Sequence, residues 1–244
     1  MEWRDEGLII GLKKYGETSV ILETMTQGHG RHMGLVKGGR AKRMQPLLQP
    51  GNEILLVWRA RLEDHLGSFA VEPVKLRAAR LIAHAAALQG INLLGALLRL
   101  LAEREPHAAL YAAARVIAEH LDETQIAAVL FVRFELALLA ELGFGLDLER
   151  CAVSGTRDDL VYVSPKSGRA VGAAAGAPYH DRLLALPGFL RPQAQSDAPS
   201  PQDIKAGFRL TEHFLRRNLF EPRGLVFPAA RGAFLAEVEK YSGG

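Results

Sequence analysis

Gly28-His29-Gly30-Arg31-His32-Met33-Gly34-Leu35-Val36-Lys37-Gly38-Gly39-Arg40 sets one short extended run, residues 31–37, between two glycine turns. Glycine reverses a chain without the steric penalty other residues meet at positive φ, so both turns read as tight. Working outward, residues 7–13 alternate, with Leu8, Ile10 and Leu12 on one face. Residues 18–24 are β-branched and apolar, residues 53–61 are apolar and extended, and residues 67–74 close the series. The turn signals Tyr15-Gly16-Glu17 and Gln49-Pro50-Gly51-Asn52 separate them. Short strands with no crossover helix between most of them predict a small antiparallel barrel. The five-stranded OB-fold is the barrel of this size most often tied to nucleic acids.

Beyond Pro73 the texture turns helical. Residues 75–105 are rich in Ala, Leu and Arg, with Gly90 and Gly95 as candidate breaks and Pro106 as the stop. Leu110, Ala114, Ile117 and Leu121 fall at helical spacing. Thr124 can cap a helix that Gly143 terminates; it is apolar nearly all round and belongs at the centre of a bundle. Residues 147–199 are irregular, with one short hairpin near Leu160 and Ala170. Ser200, Pro201 and Asp203 then mark a helix start, with a stripe of Ile204, Phe208, Thr211, Leu215 and Leu219. A last helix runs from about Ala229 to Tyr241. The predicted class is α+β with two domains: an OB-fold over residues 1–75 and a mainly helical domain over residues 76–244.

The formal net charge is +3. Residues 1–80 hold 13 Lys/Arg against 9 Asp/Glu, and the remainder 17 against 18, so the excess positive charge lies in the first third. That asymmetry points to a polyanionic partner for the barrel. No apolar run is long enough to span a bilayer, and the acidic start lacks a secretory pattern. The lone Cys151 suits a reducing compartment, and the reading is cytoplasmic.

Arg31, Lys37, Arg40, Lys42 and Arg43 stand among glycines whose amides can approach phosphates closely. They read as a DNA-binding loop or as a solvated connection. Trp58 with Arg59 and Arg61 reads as a stacking platform beside charge, and equally as barrel core. Lys205, Arg209, Glu212 and Arg216 share one side of the helix after Ser200. They read as a solvated face or as a basic groove for an acidic peptide. His29 and His32 lack a third metal ligand nearby, and no phosphate-binding loop, serine elbow or zinc-protease motif occurs. No catalytic residue, metal site or cofactor is predicted.

Glu6-Gly7-Leu8-Ile9-Ile10, Tyr15-Gly16-Glu17-Thr18-Ser19-Val20-Ile21, Thr26-Gln27-Gly28-His29-Gly30-Arg31, Val36-Lys37-Gly38-Gly39-Arg40 and Leu48-Gln49-Pro50-Gly51 together resemble the RecO family opening, in its order and spacing. Arg133-Phe134-Glu135-Leu136-Ala137-Leu138-Leu139 and Leu142-Gly143-Phe144-Gly145 extend the resemblance, as do the stretches around Cys151 and Ser164. It implies a non-enzymatic recombination mediator, nucleoid-associated in the cytoplasm. Such a protein binds single- and double-stranded DNA, anneals complementary strands, and with RecR, and RecF where present, loads RecA onto strands coated by single-stranded DNA-binding protein (SSB). It implies contact with the acidic SSB C-terminal tail, for which Arg133 and Arg209 are the candidates. The alternative is a protein-binding adaptor of the RecR and SSB system with little DNA contact. Some members carry a four-cysteine zinc site at the position of Cys151; here Ser154 replaces the second cysteine, which implies a zinc-like insertion without its ligands.

Overall fold

The computed structural model describes residues 1–192 and 198–241; residues 193–197, within the irregular stretch expected over 147–199, lie outside them. Contacts divide the chain into two compact units, Met1–Ala127 with Pro228–Tyr241, and Ala128–Phe227. The change of texture at Pro73 is a change of secondary structure, whereas the first unit gathers the barrel together with several of the helices that follow it.

In the first unit, β1 (Glu2–Tyr15), β2 (Ser19–Thr26), β3 (Gly30–Val36), β4 (Glu53–Arg59) and β5 (Ser68–Lys75) form a closed barrel in the order β1-β2-β3-β5-β4. The first strand is longer than its alternating stretch. Its first half pairs with β4, Glu2 opposite Arg59 through Leu8 opposite Glu53, and its second half pairs with β2 from Gly7 to Tyr15. The register with β2 shifts between Ile9 and Gly11, as at a β-bulge, which lets one strand serve two neighbours. Leu8, Ile9 and Ile10 are all buried, so alternation disappears there. Closure comes from one parallel contact, in which Leu35 N–H donates to Gly67 C=O at 3.1 Å. Ile9, Val20, Leu22, Val36, Leu48, Ile54, Leu56, Trp58 and Phe69 fill the interior.

The predicted helix over 75–105 is two helices, α1 (Ala78–Ile82) and α2 (Ala85–Leu98). Gly90 and Gly95 lie inside α2 and break nothing. Gly95 meets the barrel wall, where a Cβ would stand 2.8 Å from the Ile10 carbonyl oxygen. Bare backbone is what permits α2 to approach β1 so closely. α3 (Ala108–His120) contacts β2, and α7 (Ala229–Tyr241) packs on α2. Asn52, fully buried, fastens α1 to the barrel: its Oδ1 accepts from the Arg77 and Ala78 amides at 2.8 and 2.9 Å. The buried Arg77 guanidinium pairs with Glu53 at 3.0 Å and with Glu119 at 2.9 Å. Hydrogen bonds from Lys75 and Arg77 pull the Glu119 carboxyl down to about 2.

α4 (Thr124–Glu141) gives its first residues to one unit and the remainder to the other. In the second unit β6 (Leu160–Val163) and β7 (Ala170–Gly172) form the expected hairpin, which β8 (Leu184–Ala185) widens to three strands. A single turn, α5 (Ala173–Gly176), follows β7. α6 (Pro201–Leu215) opens with a capping box: Ser200 Oγ accepts from the Asp203 amide at 3.1 Å, and the Asp203 carboxylate accepts from the Ser200 amide at 3.3 Å. Ile204, Phe208, Thr211 and Leu215 are buried, as the stripe requires, and Leu219 follows in a π-helical turn over Arg216–Phe220. Thr211 Oγ1 donates to the buried Glu135 carboxylate.

Two expectations concern this frame. Gly30 and Gly38 both have positive φ, 61° and 67°. A Cβ at Gly38 meets nothing, whereas at Gly30 it would fall 1.9 Å from the Glu105 carbonyl oxygen. In urea denaturation Gly38→Ala should cost about 1–2 kcal/mol of backbone strain, and Gly30→Ala about 3 kcal/mol or more because overpacking adds to it. The second concerns His32, buried beside Trp58 and Phe69. Burial pulls its imidazole down to about 4, against a bond to Met33 C=O that favours the proton. The unfolded chain takes up that proton below about 6.5 while the folded one does not. Stability should therefore fall by about 3 kcal/mol as pH drops from 6.5 to 4, and His32→Gln should flatten that window.

Candidate nucleic-acid interface

Two ends of the barrel carry basic residues, and they differ in how those charges are used. At the end formed by the β1–β2 hairpin, Lys13, Lys14 and Tyr15 are exposed, and Tyr15 is 55% exposed. The segment from β3 to β4 meets this hairpin. Arg40 N–H donates to Thr18 C=O at 2.9 Å and the Arg40 guanidinium donates to Gly16 C=O at 2.8 Å. A 3-10 turn over Lys42–Met44 follows, with Lys37, Arg40, Lys42 and Arg43 all exposed. Leu48 anchors the far side in the core, and Asn52 Nδ2 donates to the carbonyls of Pro46 and Leu47 at 2.8 and 2.9 Å. The basic loop is thus held at both ends.

This end gathers Lys13, Lys14, Lys37, Arg40, Lys42 and Arg43 against one carboxylate, Glu17. None of the six has an ion pair among the described residues. A polyphosphate that meets such a patch sheds the cations condensed along its own chain, with a gain in entropy. Lys13, Lys14 and Tyr15 carry no signal in the linear sequence, since their strand reads only as alternating. The hairpin register and the two Arg40 bonds bring them to the loop.

Arg31, predicted beside this loop, is not part of its free charge. Arg31 lies opposite Met25, on the sheet face covered by residues 99–106. Its guanidinium pairs with Glu23 at 3.0 Å and Glu103 at 3.4 Å, and its Nε donates to the Leu101 carbonyl at 3.3 Å. Arg99 also reaches Glu23, at 2.7 Å. A guanidinium enclosed this way needs carboxylates to offset its lost hydration.

Trp58, read as a stacking platform or as core, is core. It is 2% exposed and its Nε1 donates to Leu66 C=O at 3.0 Å. The opposite barrel end holds a cleft of about 480 Å³ lined by Trp3, His29, His32, Trp58, Glu63 and Arg104 among others. Trp3 stacks on His29 at 3.9 Å between ring centres, and His29 lies 3.2 Å from the Asp5 carboxylate. Arg59 is exposed but held by Glu2 in a two-pronged pair of 2.8 and 3.1 Å, and that pair lowers the Glu2 carboxyl. Arg61 is exposed near Glu63 and Asp64 in sequence. The structure does not join Arg59 and Arg61 to the Arg40 loop, and charge here is mixed.

In the second unit, Leu183, Leu184, Ala185, Gln202, Lys205, Ala206, Arg209 and Leu210 line a groove of about 380 Å³. Lys205 and Arg209, four apart on α6, stand over an apolar floor. Arg133 is not among the lining residues; its guanidinium donates to Phe189 C=O at 3.4 Å. Cys151 lies in the same unit, where its Sγ accepts from the Gly172 amide at 3.3 Å. Burial pushes this thiol up, but bonds from Ser154, Gly172 and Val153 outweigh it and bring it to about 7. Among the described residues no three His, Cys, Asp or Glu side chains converge on a point that could hold a metal. One thiolate does not meet the four-ligand need of structural zinc. No described helix is long and apolar enough to cross a membrane.

A family model described as "Recombination protein O N terminal" matches residues 1–77, and one described as "Recombination protein O C terminal" matches residues 86–225. A protein of Methylocella silvestris named DNA repair protein RecO is 60% identical over 240 residues, which cover 98% of this chain and 97% of that protein. A protein of Sinorhizobium medicae with the same name is 57% identical over 235 residues, covering 96% and 94%.

The contrast between enclosed and free cations is testable by stability alone. Arg31→Ala leaves Glu23 with Arg99 as its remaining partner and should cost about 2 kcal/mol in chemical denaturation. Lys42→Ala and Arg43→Ala should each stay within about 0.5 kcal/mol of the parent.

Proposed function

Because the chain belongs to the RecO family of recombination proteins, we propose that it serves DNA repair as a mediator that binds single- and double-stranded DNA and anneals complementary strands. In this reading the barrel is an OB-fold whose β1–β2 and β3–β4 connections form the DNA-binding rim. The observation that carries it is the cluster of Lys13, Lys14, Lys37, Arg40, Lys42 and Arg43, held together by the two Arg40 bonds to Gly16 and Thr18. Two bare strands repel each other along their whole length. A fixed patch of unpaired positive charge lowers that repulsion while leaving base edges free to pair, and no covalent bond changes. Arg59 and Arg61 would add a weaker contact at the far end of the barrel, and Arg31 would act through the fold.

With RecR, and with RecF where present, the protein would help RecA replace SSB on single strands within the nucleoid. The groove on α6 is the proposed seat for the SSB C-terminal tail: an acidic segment with apolar side chains matches Lys205 and Arg209 over Leu183, Leu184 and Leu210. Arg133 would sit outside that seat and contribute at most through Phe189. Tethering to SSB raises the local concentration of the mediator on the strands it must pair. The stretch around Cys151 is read as a zinc-site remnant that keeps its loop by packing and hydrogen bonds.

Reversal of Arg40, Lys42 and Arg43 to Glu should weaken binding to an oligonucleotide. The slope of log K against log salt should fall by about 2–3, near 0.7–0.9 for each phosphate no longer neutralised. An unchanged slope removes the loop from the interface. If annealing of SSB-coated strands by the Arg209→Glu chain still depends on the SSB tail, the groove assignment fails. Arg209→Glu should abolish that dependence on the tail and leave annealing of bare strands unaltered.

A further inference from the structure

We infer that the outer face of the β1–β2–β3 sheet, centred on Tyr15, is a base-stacking platform that gives the rim its grip on unpaired strands. The inference rests on the reading of this rim as a DNA interface and adds which form of DNA it distinguishes.

The register defines the face. Tyr15 pairs with Ser19, Lys13 with Ile21, and Ile21 in turn with Leu35. Directly opposed residues share a face and neighbours along a strand alternate, so Tyr15, Lys13, Ser19, Ile21 and Leu35 stand on one side. Val20, Leu22 and Val36 point the other way into the core. Further along the same outer face, Glu23 and Met25 are buried and Arg31 is enclosed by the segment after α2. That covering stops before Ile21 and Leu35, which are only half-buried, and before Lys13 and Tyr15, which are exposed.

The uncovered part is therefore an aromatic ring beside two branched apolar side chains, with Lys13 alongside and Lys37 where β3 ends. Tyr15 is 55% exposed, and its ring and hydroxyl meet no partner among the described residues. It fits a surface that receives a flat π-face. The lysines and the Arg40 loop supply the phosphate contacts that a strand lying across the face would require. Stacking on an aromatic needs a base whose face is free; inside a duplex both faces of each base are taken by its neighbours. Charge alone holds duplex and single strand alike, so Tyr15 is the residue that separates them. It also helps the product leave, since strands that have paired keep the charge contacts and lose the stacked one.

The test uses the full chain, with a labelled oligothymidylate as the single strand and a mixed-sequence duplex of equal length, followed by fluorescence anisotropy. Tyr15→Ala should weaken single-strand binding by about ten-fold and change duplex binding by no more than about two-fold, while Tyr15→Phe keeps both. In Tyr15→Trp, emission should be quenched by the oligothymidylate and not by the duplex. Equal losses on both DNAs, or none on the single strand, would overturn the platform. The triple reversal of Arg40, Lys42 and Arg43 is scored separately: if it leaves binding intact the charged rim is wrong, whatever Tyr15 does.

Discussion

The double pairing of β1 is the constraint on which the rest of the first unit depends. One strand borders β4 along its first half and β2 along its second, across the bulge between Ile9 and Gly11. That makes β1 the middle of the run β3-β2-β1-β4-β5, whose outer strands then close on each other at Leu35 and Gly67 and leave no free edge. The same strand carries Trp3 at one end of the barrel and Tyr15 at the other. It therefore fixes both the aromatic cluster below the core and the basic hairpin above it. Small residues make this possible, since Gly7 faces Leu56 and Gly34 faces Phe69 where a Cβ would come within 2.7 and 2.6 Å.

The cations of the first unit include two contrasting kinds. Arg31, Arg77 and Arg99 reach carboxylates at 3.0 Å or less, and Arg77 is nearly enclosed. Their charge joins barrel to helix, where leaving either partner alone would be strongly destabilising. Lys37, Arg40, Lys42 and Arg43 stand in water. Their mutual repulsion is modest at this dielectric and is relieved when a polyanion arrives. A count of basic residues cannot separate these kinds; the position of the carboxylates does.

The two units carry different chemistry. The first offers unpaired positive charge beside an exposed aromatic, a combination suited to phosphate and base. The second offers two cations over an apolar floor, suited to a short acidic segment with apolar side chains. The proposed mediator role, displacing one binder from a strand while pairing that strand with another, would use both kinds of recognition.

Much of this was legible in the residues. Turn glycines bounded the strands, Ser200, Pro201 and Asp203 announced α6, and the stripe of Ile204, Phe208, Thr211 and Leu215 named its buried side, because these signals act over a few neighbouring residues. The order of family motifs identified the lineage for the same reason. Gly90 and Gly95 misled, since a glycine that breaks a helix and a glycine that admits a neighbouring strand look alike until the neighbour is present. The rim itself was only half visible: its loop stood out by composition, but Lys13, Lys14 and Tyr15 became part of it through strand register. Arg31 left it through carboxylates 8 and 72 positions away. Local preference is written along the chain, whereas which charges are free depends on contacts between distant segments, and only the folded structure decides those.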